Sequence, residues 1–278
     1  MFANGPLLRR RRGDRRRQFR RGVFLLPSLL TVGNLFCGYA AIVYSTRSDF
    51  DTAALFIGIA MILDTLDGFF ARLTGATSAF GVELDSLADV VSFGLAPAIL
   101  AFTWGLWPLH RLGWAAGFLY VTATAMRLAR FNVQSTTTTA PVDKRYFVGM
   151  PSPAAAAVIA STVYLYPYGL SERETALPAL AMVLLPAVLM VSTIRFRSVK
   201  SVDVGWTRSY LRLLLAVAIF VVIVSHPRYV LVVLSYSYTL AALVLWAYRK
   251  ARRRPLVPPL ASTEHAATEP RTDSSDSH

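Results

Sequence analysis

The stretch Asp64-Thr65-Leu66-Asp67-Gly68-Phe69-Phe70-Ala71-Arg72, followed after eight residues by Gly81-Val82-Glu83-Leu84-Asp85-Ser86-Leu87-Ala88-Asp89, decides how this chain is read. It sets four aspartates inside sequence otherwise apolar enough to cross a bilayer. An ionised carboxylate at the centre of a membrane helix costs about 2.5–3.5 kcal/mol on insertion scales, so four left unpaired would cost on the order of 10 kcal/mol. A cationic partner is expected among them. The surrounding composition supports the membrane reading. Of 278 residues, 54% are hydrophobic and only 16% charged, with a mean hydropathy of +0.46. Soluble domains carry roughly 25% charged residues, so the chain falls in the integral membrane class.

Outward from the aspartates, eight apolar segments have spanning length: 24–45, 52–72, 85–105, 112–131, 151–168, 175–194, 209–226 and 228–248. The expected fold is an all-α membrane bundle of about eight transmembrane helices. Residues 1–22 are expected to form a basic arm, 23–250 the transmembrane domain that holds the aspartates and 251–278 a polar, disordered tail. The net charge of +13 would suit nucleic acid, but its placement argues against that partner. Nine arginines lie between Arg9 and Arg21, directly before the first apolar segment, as in a cytoplasmic arm that rests on anionic lipid. With the N-terminus inside, 25 Lys and Arg residues fall on the cytoplasmic side and only Arg47, Arg111, Arg173 and Arg228 outside. Both termini and the aspartates are therefore expected toward the cytoplasmic side of the cell membrane. Cys37 reads as a packing residue, and His110 and His226 as solvated loop residues.

Spacing then suggests chemistry. Asp64 and Asp67 are i, i+3 on one helix, while Asp85 and Asp89 are i, i+4 on the next, so each pair shares a helix face. Two Mg²⁺ or Mn²⁺ ions would neutralise four confronting carboxylates, and such an ion pair clamps a displacement at phosphorus. Gly68 and Ala71 keep the face thin for a bulky ligand. Arg72, about 12 Å along the axis from Asp64 at 1.5 Å per residue, would meet a phosphate at the boundary. An alternative makes Asp64 and Arg72 a structural ion pair and Asp85 a helix cap. One arginine does not neutralise four aspartates, however. Glu83 faces away from Asp85 by helical phase.

The pattern D-x-x-D-G-x-x-A-R-x(8)-G-x(3)-D-x(3)-D resembles the signature of the CDP-alcohol phosphatidyltransferases. Asp64, Asp67, Gly68, Ala71, Arg72, Gly81, Asp85 and Asp89 match every fixed position. Residues 27–40 (PSLLTVGNLFCGYA), 127–133 (RLARFNV), 147–156 (FVGMPSPAAA) and 189–198 (LMVSTIRFRS) are similar to the multi-spanning phosphatidylserine synthases of that family. Ser28 departs from the Asn often found after the proline. The resemblance implies transfer of a phosphatidyl group from CDP-diacylglycerol to the hydroxyl of L-serine, releasing CMP, by a homodimeric enzyme. It implies metal ligation by Asp64, Asp67, Asp85 and Asp89, with Asp89 also the general base. Gly68, Ala71, Arg72 and Gly81 would contact the CDP moiety, and Thr31 and Asn34 on the first helix would bond the cytidine or ribose. Serine's carboxylate needs a cation, for which Arg130, with Arg127 and Asn132 nearby, is the first candidate and Arg195 the second; the competing reading makes each an ordinary cytoplasmic-side cation.

Two other readings stand beside this one. The acceptor could be glycerol 3-phosphate or an inositol compound such as inositol phosphate, with the same chemistry. A divalent-cation transporter would instead spread its carboxylates through the bilayer depth, with inverted-repeat symmetry that this chain does not show.

Overall fold

The computed structural model describes residues 7–74, 78–137, 146–192, 195–197 and 225–252. They form seven helices and one small ribbon. Helix α1 (Leu7–Thr46) turns tightly into α2 (Phe50–Thr74) through Ser48, whose φ is +60°. Asp49 caps α2, its side chain accepting from the Thr52 N–H at 3.2 Å and satisfying one of the free amides of the first turn.

Ser78 begins α3 (Ala79–Leu109) in the same way, accepting from the Gly81 N–H at 3.0 Å. The helix therefore starts six residues before the apolar segment expected from 85, and Ser78, not Asp85, is its cap. Within α3 the backbone widens to π-helical turns at Val90–Leu95, directly after Asp89, and again at Phe102–Leu106. Next come α4 (Arg111–Thr137), strand β1 (Tyr146–Val148), α5 (Ser152–Leu165), α6 (Arg173–Val191), strand β2 (Arg195–Arg197) and α7 (Pro227–Arg252). The strands are antiparallel, with Tyr146 opposite Arg197 and Val148 opposite Arg195. They join the chain entering α5 to the chain leaving α6. Gly149, between β1 and α5, has φ +83°, and a β-carbon there would stand 2.4 Å from the Met190 carbonyl oxygen.

Among the described residues, four helical stretches are long and apolar enough to cross a membrane: Pro27–Thr46, Phe50–Leu73, Ala79–Leu109 and Arg173–Val191. These answer the first, second, third and sixth expected segments. The fifth is a helix of 14 residues, about 21 Å at 1.5 Å per residue. That is short of the hydrocarbon thickness of about 30 Å. The fourth and eighth correspond to α4 and α7, whereas residues 209–224 of the seventh segment and most of the C-terminal tail lie outside the described residues.

Alanine and glycine dominate the core, with Ala41, Ala53, Ala60, Ala98, Ala101, Ala155 and Ala156 buried around Ile57, Phe93, Tyr120 and Ile159. Small side chains let helix backbones approach closely, as membrane bundles require. Large apolar residues such as Leu29, Val32 and Phe36 point outward instead. That inversion suits a lipid solvent. Helix α7 is joined to α5 by Ser235–Ser161 and Tyr236–Thr162 hydroxyl contacts of 2.8 and 2.9 Å. At its start, Arg228 pairs with Asp51 on α2 at 2.9 Å and lies over the Tyr164 ring.

Candidate functional site

The last turns of α2 and the first half of α3 bring the aspartates together. One carboxylate oxygen from each of Asp64, Asp85 and Asp89 lies within 4.8 Å of the other two. Asp67 joins them from one turn along α2 and is buried, although it is not part of that tight triad. The i, i+3 and i, i+4 spacings thus do present their carboxylates to one place. Glu83 is exposed beside them.

Helix α1 is the third wall. The Thr31 hydroxyl donates to Asp67 Oδ2, and Asn34 Nδ2 donates to Asp89 Oδ1 at 3.5 Å, the long end of the range. The Asn34 backbone carbonyl accepts from Ser92 Oγ at 2.9 Å, one turn beyond Asp89. Gly38 makes this approach possible, because a β-carbon there would lie 2.4 Å from Ser92 Oγ and 2.8 Å from its Cα. Thr31 and Asn34, expected to bond the cytidine or ribose, are hydrogen-bonded to the aspartates in this structure.

The remaining signature residues line the approach. Arg72 is exposed and folds back over Gly68, so that a β-carbon on Gly68 would lie 3.6 Å from Arg72 Nη1. Among the described residues the one salt bridge is the Arg228–Asp51 pair, so none of the four aspartates is ion-paired by Arg72 or any other described cation. Gly81 sits in the capped first turn of α3, where a β-carbon would be 3.0 Å from Ser78 Oγ.

On α4, the candidates separate. Arg127 is largely withdrawn from solvent, within electrostatic range of Asp89 and Tyr238, and donates from Nη1 to Ser152 Oγ at 3.2 Å. Its Nε is buried with no hydrogen-bond partner. Arg130 is exposed. Asn132 Nδ2 donates to Ser86 Oγ at 3.0 Å, tying α4 to α3 between the aspartates. Arg195 belongs to β2, and its side chain lies outside the described residues. Sequence reasoning passed over Ser152 as a residue of the site. Its place in the G-M-P-S-P block, at the start of α5, was the available signal.

The donor set suits hard cations. Among the described residues, three carboxylate oxygens converge without a protein cation bonded to them, and the buried Asp85 Oδ1 has no hydrogen-bond partner. Such an arrangement is stable only with an external positive charge or with protons.

Comparison with known proteins agrees with the site. Residues 24–194 match the model of the family described as CDP-alcohol phosphatidyltransferase. The chain is similar to the CDP-diacylglycerol–serine O-phosphatidyltransferase of Helicobacter pylori, 38% identical over 81% of this chain and 92% of that protein. The enzyme of the same name from Bacillus subtilis is 36% identical, over 51% of this chain and 76% of its own length. The archaetidylserine synthase of Methanothermobacter thermautotrophicus is also 36% identical, over 62% and 69% respectively. A family match across more than half of the chain, which includes the carboxylates that the fold gathers, identifies it as an enzyme of the CDP-alcohol phosphatidyltransferase family.

Proposed function

We propose that this enzyme transfers the phosphatidyl group of CDP-diacylglycerol to the hydroxyl of L-serine, yielding phosphatidylserine and CMP. The observation that carries the proposal is the convergence of the Asp64, Asp85 and Asp89 oxygens within 4.8 Å in a chain of this family. Support for serine comes from the names of the relatives, including one matched over 92% of its length.

Asp64, Asp67, Asp85 and Asp89 would hold two divalent cations, Mg²⁺ or Mn²⁺. When bound, such ions draw charge from the diphosphate and make CMP a competent leaving group. The chain's own groups do the rest. Asp89 accepts the proton of the serine hydroxyl as that oxygen bonds to the phosphatidyl phosphorus. The bond from that phosphorus to the bridging oxygen breaks, and the electron pair leaves with CMP. Asn34 holds Asp89 in place. Arg72, with Gly68, Ala71 and Gly81, borders the space for the CDP moiety.

For serine's carboxylate, Arg127 is better supported than Arg130, Asn132 or Arg195. Its buried Nε lacks an acceptor and it stands beside Asp89, whereas Arg130 faces outward. A carboxylate there would satisfy the guanidinium and bring the serine hydroxyl to the base. The charge bias would place both termini and the active site on the cytoplasmic side and the basic arm on anionic lipid, the hydropathy would give eight spans, and the family resemblance implies two chains in a homodimer. Membership of the family removes the motive for a cation-transport reading.

The test is an acceptor screen. Purified full-length protein with CDP-diacylglycerol and Mn²⁺ or Mg²⁺ is expected to release CMP with L-serine. Release with glycerol 3-phosphate or inositol phosphate and none with serine would reassign the acceptor.

A further inference from the structure

We infer that Thr31 and Asn34 of α1 are positioning residues, which act through Asp67 and Asp89 to hold the carboxylates in a metal-ready arrangement. The inference rests on the metal-site reading above and extends it to a helix that carries no aspartate of the signature.

Three observations carry it. Thr31 and Asn34 stand i, i+3 on one face of α1, and their polar groups reach one aspartate each, on two different helices. Thr31 is 4% exposed and Asn34 0%, so both bonds lie away from competing water. The height of Asn34 against α3 is set mechanically, by the Ser92 hydroxyl on its backbone carbonyl and by the close fit of Gly38 against Ser92. The Asn34 amide therefore meets Asp89 in one register only.

Asn34 also bears an unpartnered Oδ1, buried beside the cluster. A buried amide oxygen without a donor opposes folding. A residue selected only for packing would be replaced favourably by an apolar one. Retaining the amide makes sense where its N–H is needed by Asp89. Hydrogen bonds behind metal-ligating carboxylates orient them, and their loss weakens metal affinity about 10–100-fold.

The experiment compares wild-type, Asn34→Ala, Thr31→Val and Thr31→Ser full-length proteins in lipid nanodiscs. Free Mn²⁺ is followed by electron paramagnetic resonance, and thermal unfolding is recorded in EDTA. Asn34→Ala and Thr31→Val are expected to raise the Mn²⁺ dissociation constant about tenfold or more. Asn34→Ala should unfold at an unchanged or higher temperature, because its orphaned oxygen is gone, while Thr31→Ser keeps near-wild-type affinity. Asn34→Ala combined with Asp89→Asn should bind no more weakly than Asp89→Asn alone. Wild-type binding that both variants leave unchanged, or affinity that falls only together with thermal stability, overturns the inference alone. Absence of Mn²⁺ binding by the wild type overturns the metal reading and the inference with it.

Discussion

Neutralising Asp85 should make the metal-free protein more stable. Asp85 is the cleanest probe of the carboxylate cluster, because its buried Oδ1 has no hydrogen-bond partner and no described cation is ion-paired with it. Its oxygen lies within 4.8 Å of those of Asp64 and Asp89. At that separation two ionised carboxylates repel by about 3.5 kcal/mol with an effective dielectric constant of about 20. The two pairs together come to about 7 kcal/mol when all three groups are ionised, a bound that protons taken up by the cluster lower. Asp64 and Asp85 are only partly buried, so solvent screening reduces this. A third of the bound, about 2 kcal/mol, corresponds to about 4–8 °C in midpoint for a protein near this size.

The assay is a thermal scan of wild-type and Asp85→Asn protein in EDTA and in saturating Mn²⁺. In EDTA the variant is expected to unfold about 4–8 °C above wild type. Mn²⁺ at about one hundred times its dissociation constant should add about 2.7 kcal/mol to the wild type and distinctly less to the variant. The order of the two proteins then narrows or reverses. A variant that is no more stable in EDTA, with the same Mn²⁺ response as wild type, would refute the idea that these oxygens repel one another and share a cation.

Asp89→Asn is expected to lower kcat by about 10²–10⁴-fold, the range for a general base, while CDP-diacylglycerol binding changes by no more than a few-fold; rate and equilibrium binding measurements separate the two, and substantial residual turnover would take Asp89 out of that role. Arg127→Met should raise the KM for serine at least tenfold with CDP-diacylglycerol affinity retained, whereas Arg130→Met should leave the KM for serine within twofold. Equal effects in initial-rate assays would reject the choice of Arg127. Gly38→Val forces carbon into the Ser92 contact and should cost about 1–3 kcal/mol in unfolding measurements, the usual penalty of overpacking. No loss of stability would show that α1 and α3 do not meet as closely as described.

Hydropathy made the membrane class and the first three spans legible, because an unbroken run of about twenty apolar residues matches the thickness of a bilayer's hydrocarbon core. Boundaries were less legible where helices leave the apolar region. α3 begins at Ala79 because Ser78 caps it, and residues 79–84 include Gly81 and Glu83, which dilute the apolar signal. α4 runs on to Thr137 through the polar R-L-A-R-F-N block, since a helix there needs the Ser86–Asn132 bond and contact with α3 more than it needs lipid. The aspartate spacing pointed to carboxylates that share helix faces, and the fold brings oxygens of Asp64, Asp85 and Asp89 together, since i, i+3 and i, i+4 repeats determine which face a side chain occupies. Nothing in that periodicity relates α1 to α2 and α3. The partners of Thr31 and Asn34 depend on helix packing, and that packing depends on Gly38 and Ser92, which are distant in sequence and meet only in the fold.

That dependence explains why a membrane enzyme would build its site this way. Two helices are enough to supply four carboxylates, yet two helices alone would splay under the repulsion among them. α1 lies against both and contributes neutral donors, which restrain the carboxylates without cancelling their charge. A lysine or arginine in the same place would stabilise the empty protein more, and would compete with any divalent ion for the same oxygens. The half-buried Arg127 stands beside Asp89 without an ion pair to it, and its buried Nε has no hydrogen-bond partner. The site thus keeps negative charge uncancelled at one end and a hydrogen-bond donor unengaged at the other. Under the proposed reaction, a diphosphate held through divalent ions and an acceptor carboxylate are the two ligands that would use them, and together they would bring a hydroxyl, a phosphorus and a base into one place.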